Sequence, residues 1–133
     1  MCGIVGLLVK NQKMRANIGE LMLPMLIGMT ERGPDSAGLA IFGAPVGSSE
    51  RKFSLYCAAP EFDWAKLSVD LNNGLKADAK VEVKVNHAVV TTGISPDTLK
   101  AWLKEHYPQV HLLSVGQLMD IYKDTGTPAQ VAS

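Results

Sequence analysis

The pattern of apolar and polar positions along the chain predicts a mixed α+β domain. Residues 2–9 (CGIVGLLV) are apolar on both alternating faces, which is typical of a central strand that is covered on both sides. Between residues 14 and 29 the apolar positions recur at helical spacing, and Gly33-Pro34 beyond them predicts a stop with a left-handed glycine cap. Pro24 lies inside this helix and predicts a kink or a break into two pieces.

Further along the chain the pattern predicts more strands and more helices. Residues 36–42 and 52–58 are two candidate strands joined by a turn-rich stretch, so a hairpin is the simplest interpretation. The later elements are a helix over 62–75, a strand over 80–92, a helix from Ser95 that ends before Pro108, a strand over 110–115, a strand in MDIYK, and a terminal helix or tail. This order is that of an α+β domain with helices layered on sheets.

Composition and charge exclude several classes of protein. Lysine plus arginine and aspartate plus glutamate number 13 each, so no net charge attracts nucleic acid or an anionic membrane. No apolar run approaches the roughly 18 residues that span a bilayer, and no secretory signal is recognisable. The two cysteines, Cys2 and Cys57, form no disulfide framework, and Cys57 is expected to be a buried strand residue. A cytoplasmic location is expected.

Cys2 stands where removal of Met1 would make it the first residue of the protein. It would then carry a thiol nucleophile and, in its own α-amine, a base that is partly neutral near pH 7. The alternative interpretation is a small apolar residue buried at the start of a strand.

A second motif, RGPDSAG, occupies Arg32 to Gly38 and joins a cation, a carboxylate and several turn-forming residues. Taken alone, a helix cap followed by a β-turn is an equally good interpretation. Arg32 offers a planar, charged fork of donors that could favour a thiolate and hold nearby carbonyls.

Together, MCGIVG and ERGPDSAG resemble the class II glutamine amidotransferases, a family of N-terminal-nucleophile (Ntn) hydrolases. ERGPDSAG followed by LAIFGAP looks most similar to the amidotransferase subunit of glutamate-synthase-like and N-methylglutamate-synthase systems. The resemblance implies an α-β-β-α sandwich in which the Cys2 thiolate attacks the side-chain amide of glutamine. A thioester forms, ammonia passes to a synthase partner, and water releases glutamate. By position, Cys2 would be nucleophile and base, Arg32 and Gly33 would bind substrate or position the cysteine, and Asp35 and Ser36 would stabilise the turn.

The chain departs from the family in the parts that bind glutamine. It contains three arginines, Arg15, Arg32 and Arg51. None of them lies in a motif resembling the family's carboxylate clamp, and Asn73-Gly74 is interpreted as a helix stop rather than an oxyanion hole. Residues 1–133 are therefore expected to be the amino-terminal part of a longer or split domain, with 60–128 as a family-specific insertion and a complementing amidotransferase chain as a partner. The alternative is a non-catalytic amidotransferase-like interaction module.

No metal site or cofactor is expected from the histidines. Their positions, His87, His106 and His111, share no metal-ligand spacing with each other or with the cysteines. A protease-like pair of Cys2 and His87 stays open, because such partners meet only in space.

Overall fold

A computed structural model describes residues 2–132, and the chain forms two units. The first unit comprises Met1–Gly38 and Lys123–Ser133, and the second comprises Leu39–Tyr122. Met1 and Ser133 lie outside the described residues. Helices and antiparallel strands occur together, which is compatible with the predicted α+β class.

The strands are β1 (Ser36–Phe42), β2 (Arg51–Tyr56), β3 (Lys80–Lys84), β4 (His87–Thr92), β5 (His111–Gly116) and β6 (Met119–Thr125). The helices are α1 (Ile18–Ile27), α2 (Trp64–Leu75), α3 (Pro96–His106) and α4 (Pro128–Val131), with short 3-10 helices at Gln12–Asn17 and Thr30–Arg32. Within residues 2–132, no helix has the length and apolar character needed to cross a bilayer.

Strand pairing differs from the sequence prediction in two places. The second unit contains a four-stranded antiparallel sheet in the order β3-β4-β2-β5, whereas β1 pairs with β6. The predicted hairpin of residues 36–42 with 52–58 is therefore wrong, because each strand finds a partner far away in the chain. The single strand predicted over 80–92 is also wrong, since β3 and β4 form a hairpin with Val85 in the left-handed region at its turn (φ 54°).

The core of the second unit lies between the sheet and two amphipathic helices. Phe53 and Leu55 point from β2 towards this side and are fully buried, and Cys57 directly after the strand is buried as expected. Helix α2 buries Leu67 and Leu71 one turn apart. Helix α3 contributes a stripe made of Leu99, Trp102 and Leu103.

The opposite face of this sheet carries polar side chains of β2 beside the buried Val89, and it contacts the first part of β6. Along β2, Lys52 and Ser54 alternate with the core residues and point to this side. The Lys52 ammonium lies 3.1 Å from Oδ1 of Asp120, and the backbone N–H of Ile121 donates to Ser54 Oγ at 2.9 Å. Within the second unit, helices therefore lie on one face of the four-stranded sheet and residues 119–122 of β6 contact the other.

The end of α2 also differs in detail from the prediction. The helix continues through Asn73-Gly74 to Leu75, and Lys76 adopts the left-handed conformation that caps it (φ 50°). A Cβ atom on Gly74 would lie 2.9 Å from Nε1 of Trp102. Gly74 is thus the residue that lets the buried indole approach α2, and Lys76 is the helix cap.

In the first unit, α1 and the short α4 pack together. The helix predicted over 14–29 is divided, but not at Pro24, which lies inside α1. A 3-10 helix precedes α1, and another leads to Gly33, whose φ of −156° is not left-handed. The predicted left-handed cap at Gly33 is therefore wrong.

Residues 2–9 form neither strand nor helix, so the predicted buried strand is wrong. Ile4 is 96% exposed and Leu8 is 81% exposed. The apolar pattern is suited to burial on two faces, but a central strand also needs neighbouring strands to pair with its backbone. No described residue supplies that pairing.

Ser54 and Ser114 are paired across β2 and β5, and they allow a matched test of the polar face. Ser54→Ala leaves the Ile121 N–H without its acceptor and should lower the free energy of unfolding by about 1–3 kcal/mol. Ser114 Oγ is buried and has no hydrogen-bond partner within residues 2–132, so Ser114→Ala should change that free energy by less than about 0.5 kcal/mol. Urea unfolding of both variants checks this, and equal losses would contradict it.

Asp70 of α2 supports a pH-dependent contact with the segment after α3. Hydrogen bonds from Lys66 and then from Tyr107 hold the pKa of the Asp70 carboxyl below its ordinary value of 3.8. A carboxyl whose pKa is lower in the folded than in the unfolded protein stabilises the fold above about pH 4. This contribution of Asp70 to the free energy of unfolding is lost as the pH falls through the pKa of the folded state. Tyr107→Phe should raise the pKa of Asp70 while leaving it below 3.8, since the Lys66 bond remains. A carboxyl NMR titration measures this, and an unchanged pKa would contradict it.

Candidate active site

A cavity of about 290 Å³ in the first unit brings Cys2 together with the RGPDSAG segment. Its lining consists of Cys2, Gly3, Leu26, Met29, Gly33, Pro34, Asp35, Ser36, Ala37, Gly38 and Pro128. Cys2 is exposed, so its thiol is accessible to a small molecule that enters the cavity. The two motifs are about thirty residues apart in sequence and share this one site.

The residues proposed from the sequence occupy different positions around the cavity. Gly33, Asp35 and Ser36 line it beside Cys2. Arg32 is not one of the lining residues, but its side-chain stem lies against Gly3, the residue that follows the cysteine. All five candidates therefore lie at or next to one cavity in the first unit.

Gly3 lets the N-terminal backbone lie close to Arg32 and Met29. Any other residue type at this position would force one of these groups to move. A Cβ atom at this position would lie 2.9 Å from the Cβ of Arg32 and 3.1 Å from the Sδ of Met29. Nothing lies within 4 Å of the corresponding position at Gly6. Contact with the 29–32 segment therefore places the backbone beside Cys2, although residues 2–9 belong to no sheet.

Backbone hydrogen bonds hold the turn that faces Cys2. The N–H of Gly33 lies 3.2 Å from the carbonyl of Met29, and the carbonyl of Asp35 accepts from the N–H of Gly126 at 2.8 Å. Gly126 has φ of +120°, a conformation that favours glycine. Within the described part of the chain the side chains of Asp35 and Ser36 form no hydrogen bond. Their proposed role in stabilising the turn stays a prediction.

The C-terminal segment also lines the cavity, and the sequence does not predict this. Thr127 caps α4 by accepting from the N–H of Gln130, whose side chain accepts from the N–H of Thr127 in return. The T-x-x-Q spacing is a recognisable start signal for a helix. It does not indicate that Pro128 lines the cavity near Cys2, because that position depends on packing of α4 against α1.

The histidines of the second unit have ordinary partners. His87 is buried, with Nδ1 2.8 Å from Oδ1 of Asn86, and His106 has Nδ1 3.1 Å from the carbonyl of Trp102. His111 is exposed. Among residues 2–132 no group of three or more histidine, cysteine, aspartate or glutamate side chains is arranged to hold a metal ion.

Comparison with known proteins gives two relatives that match this chain along essentially its full length. It is 40% identical over 134 residues to the "Glutamine amidotransferase-like protein GlxB" of Rhizobium meliloti (strain 1021), with 100% of this chain and 44% of the relative aligned. It is 28% identical over 141 residues to a protein of Methanothermobacter thermautotrophicus named "Putative glutamine amidotransferase", with 99% of this chain and 46% of the relative aligned. The chain thus spans about half the length of these curated relatives.

No protein-family model matches the chain. No solved structure matches it either. The similarity to the two named proteins supports a glutamine amidotransferase family for this chain.

Proposed function

We propose that this chain is the nucleophile-bearing part of a class II glutamine amidotransferase that works in the cytoplasm with a synthase partner. The observation that carries the proposal is the shared cavity of Cys2 and the RGPDSAG turn. The relatives named as glutamine amidotransferases support glutamine as the substrate. A cavity of about 290 Å³ has the size of a small-molecule site.

In the proposed reaction, Cys2 is both nucleophile and base. After removal of Met1, the neutral α-amine accepts the thiol proton, and the sulfur attacks the side-chain carbonyl carbon of glutamine. The carbon–nitrogen bond then breaks, the proton passes to the leaving nitrogen, and ammonia departs for the synthase. Water attacks the resulting thioester, which yields glutamate and restores the thiol.

The neighbouring residues position this group. Arg32 acts through its contact with Gly3, so we assign it to holding the N-terminal segment rather than to contacting glutamine. Gly33 lines the cavity. The turn at Asp35 and Ser36 is connected to the C-terminal segment, because the Asp35 carbonyl accepts a hydrogen bond from the N–H of Gly126. An accessible thiol beside a rigid turn is what nucleophilic catalysis needs.

We propose the Ntn-hydrolase α-β-β-α sandwich as the architecture of the complete domain. Support comes from the second unit, where helices cover one face of the four-stranded sheet and residues 119–122 of β6 contact the other. Residues 60–128 are proposed as a family-specific insertion. They supply β3, β4 and β5, which build a sheet around β2.

A non-catalytic, amidotransferase-like interaction module is the second candidate. It is favoured by Asn73-Gly74, the one asparagine-glycine pair in the sequence, because Gly74 lies inside α2 against Trp102 and is not among the residues that line the cavity of Cys2. An oxyanion donor contributes about 2.7–4 kcal/mol to catalysis, so a chain that lacks one should turn over slowly. Covalent labelling of the nucleophile therefore separates the two candidates better than turnover does.

Alkylation by the glutamine analogue 6-diazo-5-oxonorleucine tests the proposed function. Intact mass should show loss of Met1 and one adduct per chain, and peptide mapping should place that adduct at Cys2. Cys57 is an internal control, because it is only 1% exposed and should not react. Cys2→Ala should abolish labelling without unfolding the domain. Retention of Met1, or equal labelling of the Cys2→Ala variant, would favour the non-catalytic module.

Gly3→Ala tests whether contact with Arg32 positions the nucleophile. The added Cβ would meet the Arg32 stem, displace residues 2–3 and slow labelling of Cys2 by about 10- to 100-fold. Gly6→Ala is the matched control, because a Cβ there meets nothing within 4 Å and the labelling rate should stay within about two-fold. Equal rates in the two variants would show that the contact does not matter.

A further inference from the structure

The last residues of the first unit hold part of the wall of the Cys2 cavity. Pro128 is buried and lines the cavity. Two residues earlier, the N–H of Gly126 donates to the carbonyl of Asp35 at 2.8 Å, and Asp35 lines the same cavity. The segment therefore forms the wall directly at Pro128 and holds a second part of it through the main chain of Asp35.

Gly126 provides the backbone conformation in which this hydrogen bond forms. Its φ of +120° is one that residues with a side chain rarely adopt. A Cβ atom at this position would also lie 3.2 Å from Oε1 of Gln130, which is tighter than an ordinary contact. Another residue type would therefore have to change φ or displace Gln130, and a change of φ moves the N–H that donates to Asp35.

The side chain of Gln130 holds the start of α4 in place. Its Oε1 accepts from the backbone N–H of Thr127 at 2.9 Å and from the Thr127 hydroxyl at 3.0 Å, and the same hydroxyl oxygen accepts from the N–H of Gln130 at 3.4 Å. This capping box satisfies backbone donors that have no partner within a helix. Because α4 has only four residues, its order depends largely on such caps and on packing. Pro128, the first residue of α4, thus lies between the Gly126 contact and the Gln130 cap.

We propose that Gly126 and Gln130 are positioning residues, which hold the cavity wall against which the substrate of Cys2 binds. Neither of the two residues lines the cavity, so both act through Pro128 and Asp35. The proposal deepens the proposed function and rests on it for the identity of the substrate, glutamine. A site of this kind needs supporting residues that fix the residues in contact with the substrate.

A positioning role predicts a different result from a purely structural role. The Cys2 thiol is placed by the contact of Gly3 with the 29–32 segment, which is a separate part of the site. A displaced wall should therefore weaken binding of a glutamine analogue and leave the thiol accessible to a small reagent. If the capping box served only the packing of α4 against α1, its loss would act on both reagents alike. Comparison of 6-diazo-5-oxonorleucine with iodoacetamide separates the two roles, because iodoacetamide needs only an accessible thiol.

The test measures labelling of Cys2 in the full chain as a function of reagent concentration. In Gln130→Ala and in Gly126→Ala, the concentration of 6-diazo-5-oxonorleucine that gives the half-maximal rate should rise about ten-fold, while the rate with iodoacetamide stays within about two-fold. Gln130→Glu should restore the wild-type value, because glutamate accepts the same hydrogen bonds in a capping box. Gly19→Ala is the matched control, since a Cβ there meets nothing within 4 Å and neither rate should change.

Hydrogen exchange gives a second measurement that does not depend on the labelling reagent. The amides of residues 33–38 should exchange at least about five-fold faster in Gln130→Ala than in the wild type, and Gln130→Glu should restore their protection. Wild-type labelling in Gln130→Ala and Gly126→Ala, equal slowing with both reagents, or no rescue by Gln130→Glu would overturn the proposal. If wild-type Cys2 reacts with iodoacetamide but not with the glutamine analogue, the proposed function fails, and the exchange of residues 33–38 alone decides the positioning role.

Discussion

The alternation of side chains along β2 is the constraint on which the second unit depends. Phe53 and Leu55 point into the core with α2 and α3, while Lys52 and Ser54 point to the face that β6 contacts. Because β2 lies between β4 and β5, both of its backbone edges are also occupied. Because β2 has neighbours on both faces and along both backbone edges, it determines where those neighbouring elements lie.

The first unit depends on a different constraint, which is close packing at a glycine. Gly3 lies against Arg32 and Met29, and this contact brings a segment without secondary structure to the wall of the cavity. The carbonyl of Asp35, held by Gly126, keeps the facing turn in place. The candidate site thus combines a segment without secondary structure with the first residues of β1. The same unit leaves Ile18, Leu23 and Ile27 of α1 exposed.

Elements whose signals are local were predicted well. The helix predicted from Ser95 begins there, with Ser95 as its cap, and α2 lies within the helix predicted over 62–75. Pairing between distant segments was predicted poorly. The strand at 36–42 has the expected bounds, but its partner is β6 rather than the strand at 52–58. The composition of a strand indicates whether it is buried, but it does not indicate which other strand it pairs with. Pairing and register are therefore decided by contacts between distant residues.

The sequence by itself determined the residues on which the proposed chemistry rests, Cys2 and the RGPDSAG segment, and the mix of helices and strands. These are properties of residue type and short-range spacing, which act before the chain folds. Only the tertiary structure decided that the two motifs share a cavity, that the Arg32 stem lies against Gly3, and that residues 2–9 form no strand and leave Ile4 and Leu8 exposed. The reason is physical. Whether a segment is buried depends on which other parts of the protein pack against it. An apolar pattern in the segment does not determine whether such parts are present.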